Sequence, residues 1–332
     1  MAIVALLMCT ACAASSNAGA IQSAATDVSN AARVAGTTAQ IEGTSTSRVD
    51  GSYTAQTYDL DPDDMLSIPG STDVVSINLS GGEPRSLSAS QLADIKDAIS
   101  SVEQLGDCGF VFLDVANGHG LAYNADQVMY VASAAKAPFI YHLVKTVPNL
   151  DEDERQNVEW TIVDSENEAL ETLFFDHLND GYDEFMTGFD VYHEDYSVDF
   201  YPKMAARNLT AIWADILLYI RGGSEDAQWL ADLFSSTETS FIRDGLSGTG
   251  AAVMNKAGWI VEQNYDYEYD DESEEESSLD DMVYKSVSDA AIIEADGRTY
   301  LMTIVTSQPD MGMTELNVSN LTRALFDQRS AF

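Results

Sequence analysis

Basic side chains are scarce in this chain. Sixteen Lys and Arg stand against 55 Asp and Glu, giving a net charge of −39 over 332 residues. Phosphate binding needs clustered Lys and Arg, so nucleic acid is excluded as a partner, and adsorption to an anionic lipid surface is disfavoured. Cysteine is nearly absent too: Cys9 and Cys12 lie near the start and Cys108 stands alone in the body. No internal disulfide framework can be built from these. No second Cys pair or His set completes a structural zinc site, and the four His (His119, His142, His177, His193) lack the H-E-x-x-H spacing. No apolar run is long enough to span a bilayer.

Hydrophobic residues make up 45% of the chain, ample for a core. Residues 2–12, AIVALLMCTAC, are too short to cross a membrane but suit the apolar region of an export signal. Small residues before Cys12, followed by AASSNAG, are similar to a bacterial lipoprotein signal. Lipidation at Cys12, on the outer face of the cytoplasmic membrane, is therefore expected, with an ordinary cleaved signal and secretion as the alternative. Residues 13–50 are an Ala, Ser, Thr and Gly linker that cannot bury enough surface to fold alone. Residues 51–85 are read as an irregular continuation. Within them Asp59 to Asp64 lacks the Gly and terminal Glu of a calcium loop and reads as a solvated acidic turn.

Order begins at Ser86. Ser88 to Gln91 caps a helix through about Glu103, with Leu92, Ile95, Ile99 and Val102 on one face. Residues 109–116 and 121–128 read as strands around the Asn117 to Gly120 turn. Val131 to Val144 then enters an apolar helix. A charged surface segment follows Pro148, and Ser165-Glu166-Asn167 opens another helix. Residues 182–201 read as an irregular acidic-aromatic loop, 209–220 as a buried helix ended by Gly222-Gly223, and 229–241 as helical. Strands at 253–261, 289–295 and 300–307 and a helix over 314–328 complete the pattern. Gly248-Thr249-Gly250 lacks a preceding strand and is read as a turn rather than a nucleotide loop. The acidic insert 265–281 reads as solvated chain. The order predicts one α/β (α+β) domain over 86–332, with a five-stranded, mostly antiparallel sheet flanked by helices and a small helical subdomain.

Ser133 and Lys136 carry the strongest chemical signal. Residues three apart on a helix share a face, so the amine can reach the hydroxyl, the geometry of a base-activated nucleophile. A helix start adds unpaired N–H groups and positive dipole at the same place. Pro138 fits only a helix that has just begun. Two further elements follow in order: Ser165-x-Asn167, then Lys256-Ala257-Gly258 on a strand.

With these three motifs the chain resembles the penicillin-recognising serine hydrolases, especially class A β-lactamase-like proteins. The resemblance covers residues 86–332 and implies the β-lactamase/transpeptidase-like fold. It assigns Ser133 as nucleophile and Lys136 as its base. Ser165 becomes the proton relay to the leaving nitrogen, and Asn167 the holder of Lys136 and a substrate amide. Lys256 becomes the positive field for a substrate carboxylate. Ala257, Gly258 and Trp259 are implied to bind substrate along the strand edge, with the N–H groups of Ser133 and Trp259 as oxyanion hole. No metal or organic cofactor is implied. A β-lactam or cell-wall peptide substrate and a monomeric protein are expected.

Three departures from the family pattern stand out. Glu166 replaces the middle Asp of the second motif. Ala257 replaces a Thr or Ser whose hydroxyl serves the substrate carboxylate. No E-x-x-L-N stretch lies between Ser165 and Lys256 to supply the deacylating base, for which Glu194, Asp195 and Glu166 are the candidates. The expectation is an exported serine hydrolase working through an acyl-enzyme. Its alternatives are a cell-wall peptidase or acyltransferase with little β-lactam turnover, and a catalytically impaired surface binding protein of the same fold.

Overall fold

The chain divides into two units, Met1–Thr54 and Ala55–Phe332. The computed structural model describes residues 58–104, 106–177, 180–193, 196, 200–260, 286–308 and 313–331, all in the second unit. Cys12, Glu194, Asp195 and the insert 265–281 lie outside the described residues.

Helix α1 (Pro62–Leu66) occupies the acidic stretch read as a turn. Asp61 caps it by accepting from the Asp63 N–H at 3.1 Å, and Pro62 sits at its first position, where a missing N–H costs nothing. Strand β1 (Val75–Asn78) follows. Helix α2 (Ala89–Val102) starts from a capping box between Ser88 and Gln91 and buries Ile95, Ile99 and Val102. Strands β2 (Cys108–Asp114) and β3 (His119–Tyr123) form the expected hairpin, and β4 (Met129–Tyr130) leads into a 3₁₀ turn, Ala132–Ala135. Helix α3 (Lys136–Thr146) continues directly from that turn.

The charged segment after Pro148 is helix α4 (Glu152–Glu159), opened by an Asp151–Glu154 capping box and closed by a π-helical turn, Trp160–Asp164. Helices α5 (Asn167–His177) and α6 (Tyr182–Thr187) follow, so part of the predicted irregular loop is helical. Strand β5 (Lys203–Met204) pairs with β4. Helix α7 (Ala206–Arg221) is buried along most of its length, and Trp213 within it packs on Phe234 of α8 (Glu225–Ser235). The single helix predicted over 229–241 is instead α8 and a short α9 (Phe241–Gly245). The Ser236 to Ser240 run between them favours local side-chain bonding over helix continuation. Strand β6 (Ala252–Trp259), the hairpin β7 (Val287–Ala295) and β8 (Arg298–Thr306), and helix α10 (Met313–Phe326) complete the unit. Asp296 and Gly297 both take positive φ in the hairpin turn, as a tight two-residue connection requires.

The main sheet runs β1-β3-β2-β8-β7-β6, antiparallel at every junction. The five predicted strands are present, and β1 adds a sixth at the edge beside β3. Residues 58–85 therefore join the domain that the sequence placed from residue 86. Four residues, Val75 to Asn78, are too few to register as a period.

Both sheet faces are covered. Along β2, Val111 and Leu113 point to the core shared with α3, α7 and α8, while Phe110 and Phe112 meet α2 and α10. All seven β2 residues are buried, which is why this strand reads as a continuous apolar run.

Candidate active site

Two strained residues shape the floor of the site. Ala132 has φ +47° and Ser165 has φ +62°, the left-handed region that costs a non-glycine residue about 1 kcal/mol. Ala132 turns the chain from β4 into the 3₁₀ turn and sets half-buried Ser133 at its second position. One turn on, Lys136 begins α3, and its N–H donates to the Ser133 carbonyl. The Lys136 side chain is wholly buried.

Lys136 is met by the loop joining the π-helical turn to α5. Its Nζ donates to the Ser165 carbonyl, to the Glu166 carbonyl at 3.2 Å and to Asn167 Oδ1 at 2.7 Å. Ser165 Oγ lies 3.5 Å from the same nitrogen. The left-handed turn at Ser165 lets its carbonyl and hydroxyl face one amine. A π-helical turn immediately before it marks the departure from regular geometry, a common accompaniment of functional loops.

The third motif arrives on β6, a sheet edge. Lys256 is buried, and its Nζ donates to Ser165 Oγ at 2.8 Å and to the Ala257 carbonyl at 3.0 Å. Gly258 is required by packing: a Cβ there would stand 2.3 Å from Ala134 N and Val131 O, and 2.7 Å from Ser133 N. The glycine lets the strand lie against the turn that carries Ser133. Ile260 N–H donates to Ser286 O, so alternation along the antiparallel pair directs the Trp259 N–H away from β7, toward the open edge. The N–H of Ser133 lies in the first turn of its helix, where intrahelical acceptors are missing.

Beneath Lys256, on the far face of the sheet, lies a buried polar network. Asp289 Oδ2 accepts from Ser240 Oγ at 3.1 Å and Ile242 N–H at 3.0 Å, and its Oδ1 accepts from Asn255 Nδ2 at 2.9 Å. Asn255 Oδ1 in turn accepts from Thr237 Oγ1 at 2.6 Å and Arg243 Nη2 at 2.7 Å. The network ties β6 and β7 to the α8–α9 connection. Burial pushes Lys256 down to about 7, against the opposing pull of the Asp289 charge. Burial likewise pushes Asp289 up to about 6, although the Ile242 N–H, Asn255, Ser240 and the Lys256 charge all favour its ionised form.

Ser133, Lys136, Ser165, Asn167, Lys256, Gly258 and Trp259 are thus contributed to one region by three stretches of chain. Ala257 is wholly buried against the α2 and α10 side of the sheet and brings no hydroxyl. Glu166 reaches Lys136 through its main-chain oxygen, whereas its side chain is exposed and lines a groove with Trp160, Asp164 and Glu168. His142 and His177 serve packing and surface pairing. His142 Nε2 lies 3.0 Å from Asp180 O, and His177 sits between Glu154 and Asp180 at 2.9 Å from each.

Two residues were not anticipated. Asp289 opens a strand predicted over 289–295, with no polar role expected of it. Tyr201, assigned to an irregular loop, donates from Oη to Asn167 Oδ1 at 3.0 Å. The one sequence signal for it is Pro202, which restricts the residue before it to extended backbone.

No family model and no curated protein matches the chain. Solved structures do. PBP-A superposes with a TM-score of 0.53 at 16% identity, over 72% of this chain and 97% of its own. A β-lactamase from Burkholderia vietnamiensis gives 0.56 at 15%, over 74% and 98%. The class A β-lactamase from Mycobacterium abscessus gives 0.53 at 16%, over 71% and 99%. With its antiparallel sheet between helices, this chain has the fold shared by the class A β-lactamases and PBP-A.

Proposed function

We propose that this protein is a serine hydrolase that opens a β-lactam or related amide through an acyl-enzyme on Ser133. One observation carries the reading. Ser165 Oγ stands between two buried lysines, 2.8 Å from Lys256 Nζ and 3.5 Å from Lys136 Nζ, and Lys136 also holds Asn167 at 2.7 Å. Three motifs far apart in sequence thus join Lys136, Ser165, Asn167 and Lys256 in one chain of contacts, which supports a role in proton transfer. PBP-A, whose fold this chain shares, has a variant solved as an acyl-enzyme complex with penicillin G.

In this mechanism Lys136, reacting as the neutral amine, removes the Ser133 proton as Oγ bonds to the substrate carbonyl carbon. The carbonyl electron pair moves to oxygen, which the N–H groups of Ser133 and Trp259 stabilise. Collapse of the tetrahedral centre restores the carbonyl and breaks the C–N bond. The departing nitrogen takes the Ser165 proton, which Lys136 replaces with the one it accepted. The Lys256 ammonium keeps Ser165 oriented and attracts a substrate carboxylate. Water then releases the acid and regenerates Ser133.

The test is hydrolysis of a chromogenic cephalosporin by the isolated protein, with Ser133→Ala as control. Turnover abolished in the variant is expected; equal turnover in both overturns the assignment. A second reading, a cell-wall peptidase or acyltransferase with little β-lactam turnover, is favoured by Ala257, which is buried and offers no hydroxyl to a carboxylate. It predicts acylation without appreciable turnover. We further propose export and lipidation at Cys12. Cys12→Ser is then expected to release the protein from the membrane fraction, and retention there contradicts the anchor.

A further inference from the structure

We propose that Tyr201 is a positioning residue of this site, one that fixes the orientation of the Asn167 carboxamide; the inference rests on the acyl-transfer reading above. An amide oxygen has two lone pairs. At Asn167 Oδ1 one meets Lys136 Nζ at 2.7 Å and the other meets Tyr201 Oη at 3.0 Å. A flipped carboxamide would set its NH₂ group against the Lys136 ammonium, which cannot accept, and would forfeit the bond that Tyr201 Oη donates to the oxygen. The oxygen is therefore locked toward Lys136, and the NH₂ group faces the opposite way with its two donors. Asn167 is an exposed residue at the first position of α5, and its terminal torsion is intrinsically broad, so its orientation depends on such partners.

Tyr201 is itself held on both sides. Pro202 restricts its backbone, and the β5 residues that follow pair with β4, Lys203 opposite Tyr130 and Met204 opposite Met129. Its ring meets the Tyr130 ring edge-on, with centroids 6.3 Å apart. On its other side Phe200 packs 4.7 Å from Phe174 of α5. The strand that leads into Ser133 and the segment that delivers the Tyr201 hydroxyl are thus one ribbon. The nucleophile and the orientation of Asn167 are set together. An Asn167 NH₂ group turned away from Lys136 suits a substrate with an acyl carbonyl beside the scissile amide.

The experiment compares the wild type with Tyr201→Phe, which keeps the ring and removes the hydroxyl. Acylation is followed with penicillin G, which carries an acylamino group, and with 6-aminopenicillanic acid, which lacks it. The variant is expected to lose about tenfold in the second-order rate constant for penicillin G, the worth of one hydrogen bond, with little change for the second compound and an unchanged melting temperature. Equal rates to wild type, or equal losses with both compounds, overturn the proposal. A readout independent of reaction is the Asn167 side-chain amide signal in protein labelled with ¹⁵N-asparagine, assigned with Asn167→Asp. Tyr201→Phe is expected to shift and broaden that signal, and an unmoved signal overturns the proposal. If no penicillin acylates the wild type, the acyl-transfer reading fails while the amide signal still decides the role of Tyr201.

Discussion

Lys256 Nζ donates to Ser165 Oγ at 2.8 Å across 91 residues of chain. The bond joins a sheet edge to a strained loop of the helical subdomain. Under the proposed acyl transfer, the protonation state of a buried lysine and the backbone that presents Ser165 both govern reactivity.

The pH dependence follows from that lysine. Burial lowers Lys256 to about 7, and the Asp289 charge opposes the shift. The ammonium attracts a substrate carboxylate only while protonated. Acylation by a carboxylate-bearing penicillin is expected to fall as pH rises through about 7. Asp289→Asn removes the negative charge that supports the ammonium, so the falling limb moves to lower pH. Stopped-flow acylation rates between pH 5 and 9 check both statements; a limb that Asp289→Asn leaves in place contradicts the coupling.

Ser165 separates chemistry from strain. Ser165→Ala and Ser165→Gly both remove the hydroxyl shared by the two lysines, and each is expected to slow acylation by about 10²–10⁴-fold, the usual worth of a positioned proton-transfer group. Only glycine relieves the left-handed backbone. The Gly variant is therefore expected to be more stable than the Ala variant by about 1 kcal/mol in urea unfolding. Equal stability of the two contradicts the strain at this residue.

Gly258→Ala places a methyl group 2.3 Å from the backbone of Val131 and Ala134. Neither atom is the end of a flexible side chain, so β6 and the turn that carries Ser133 must separate. A loss of about 1–3 kcal/mol or more in stability is expected, with acylation falling in the same variant. Thermal unfolding and acylation rates measured together test this, and a variant with wild-type values for both contradicts the close approach.

Much of this site was legible because its chemistry is written in short local patterns. Ser133 and Lys136 are one helical turn apart, Ser165 and Asn167 flank one residue, and Lys256 to Gly258 are contiguous. The buried strands were equally visible as apolar runs. Other parts depend on what distant segments do. Tyr201 resembles every other aromatic in its segment until the β4–β5 pairing delivers it to Asn167. Asp289 gains its partners only when the α8–α9 connection folds over β6 and β7. β1 is too short to declare a period, and the positive φ of Ala132 and Ser165 is imposed on residue types that do not announce it.

The most direct measurement is intact mass over time after mixing the isolated protein with penicillin G, beside Ser133→Ala. The account predicts a mass increase equal to one penicillin, mapping to the peptide that contains Ser133 and absent from the variant. No adduct in the wild type, or the same adduct in Ser133→Ala, contradicts it.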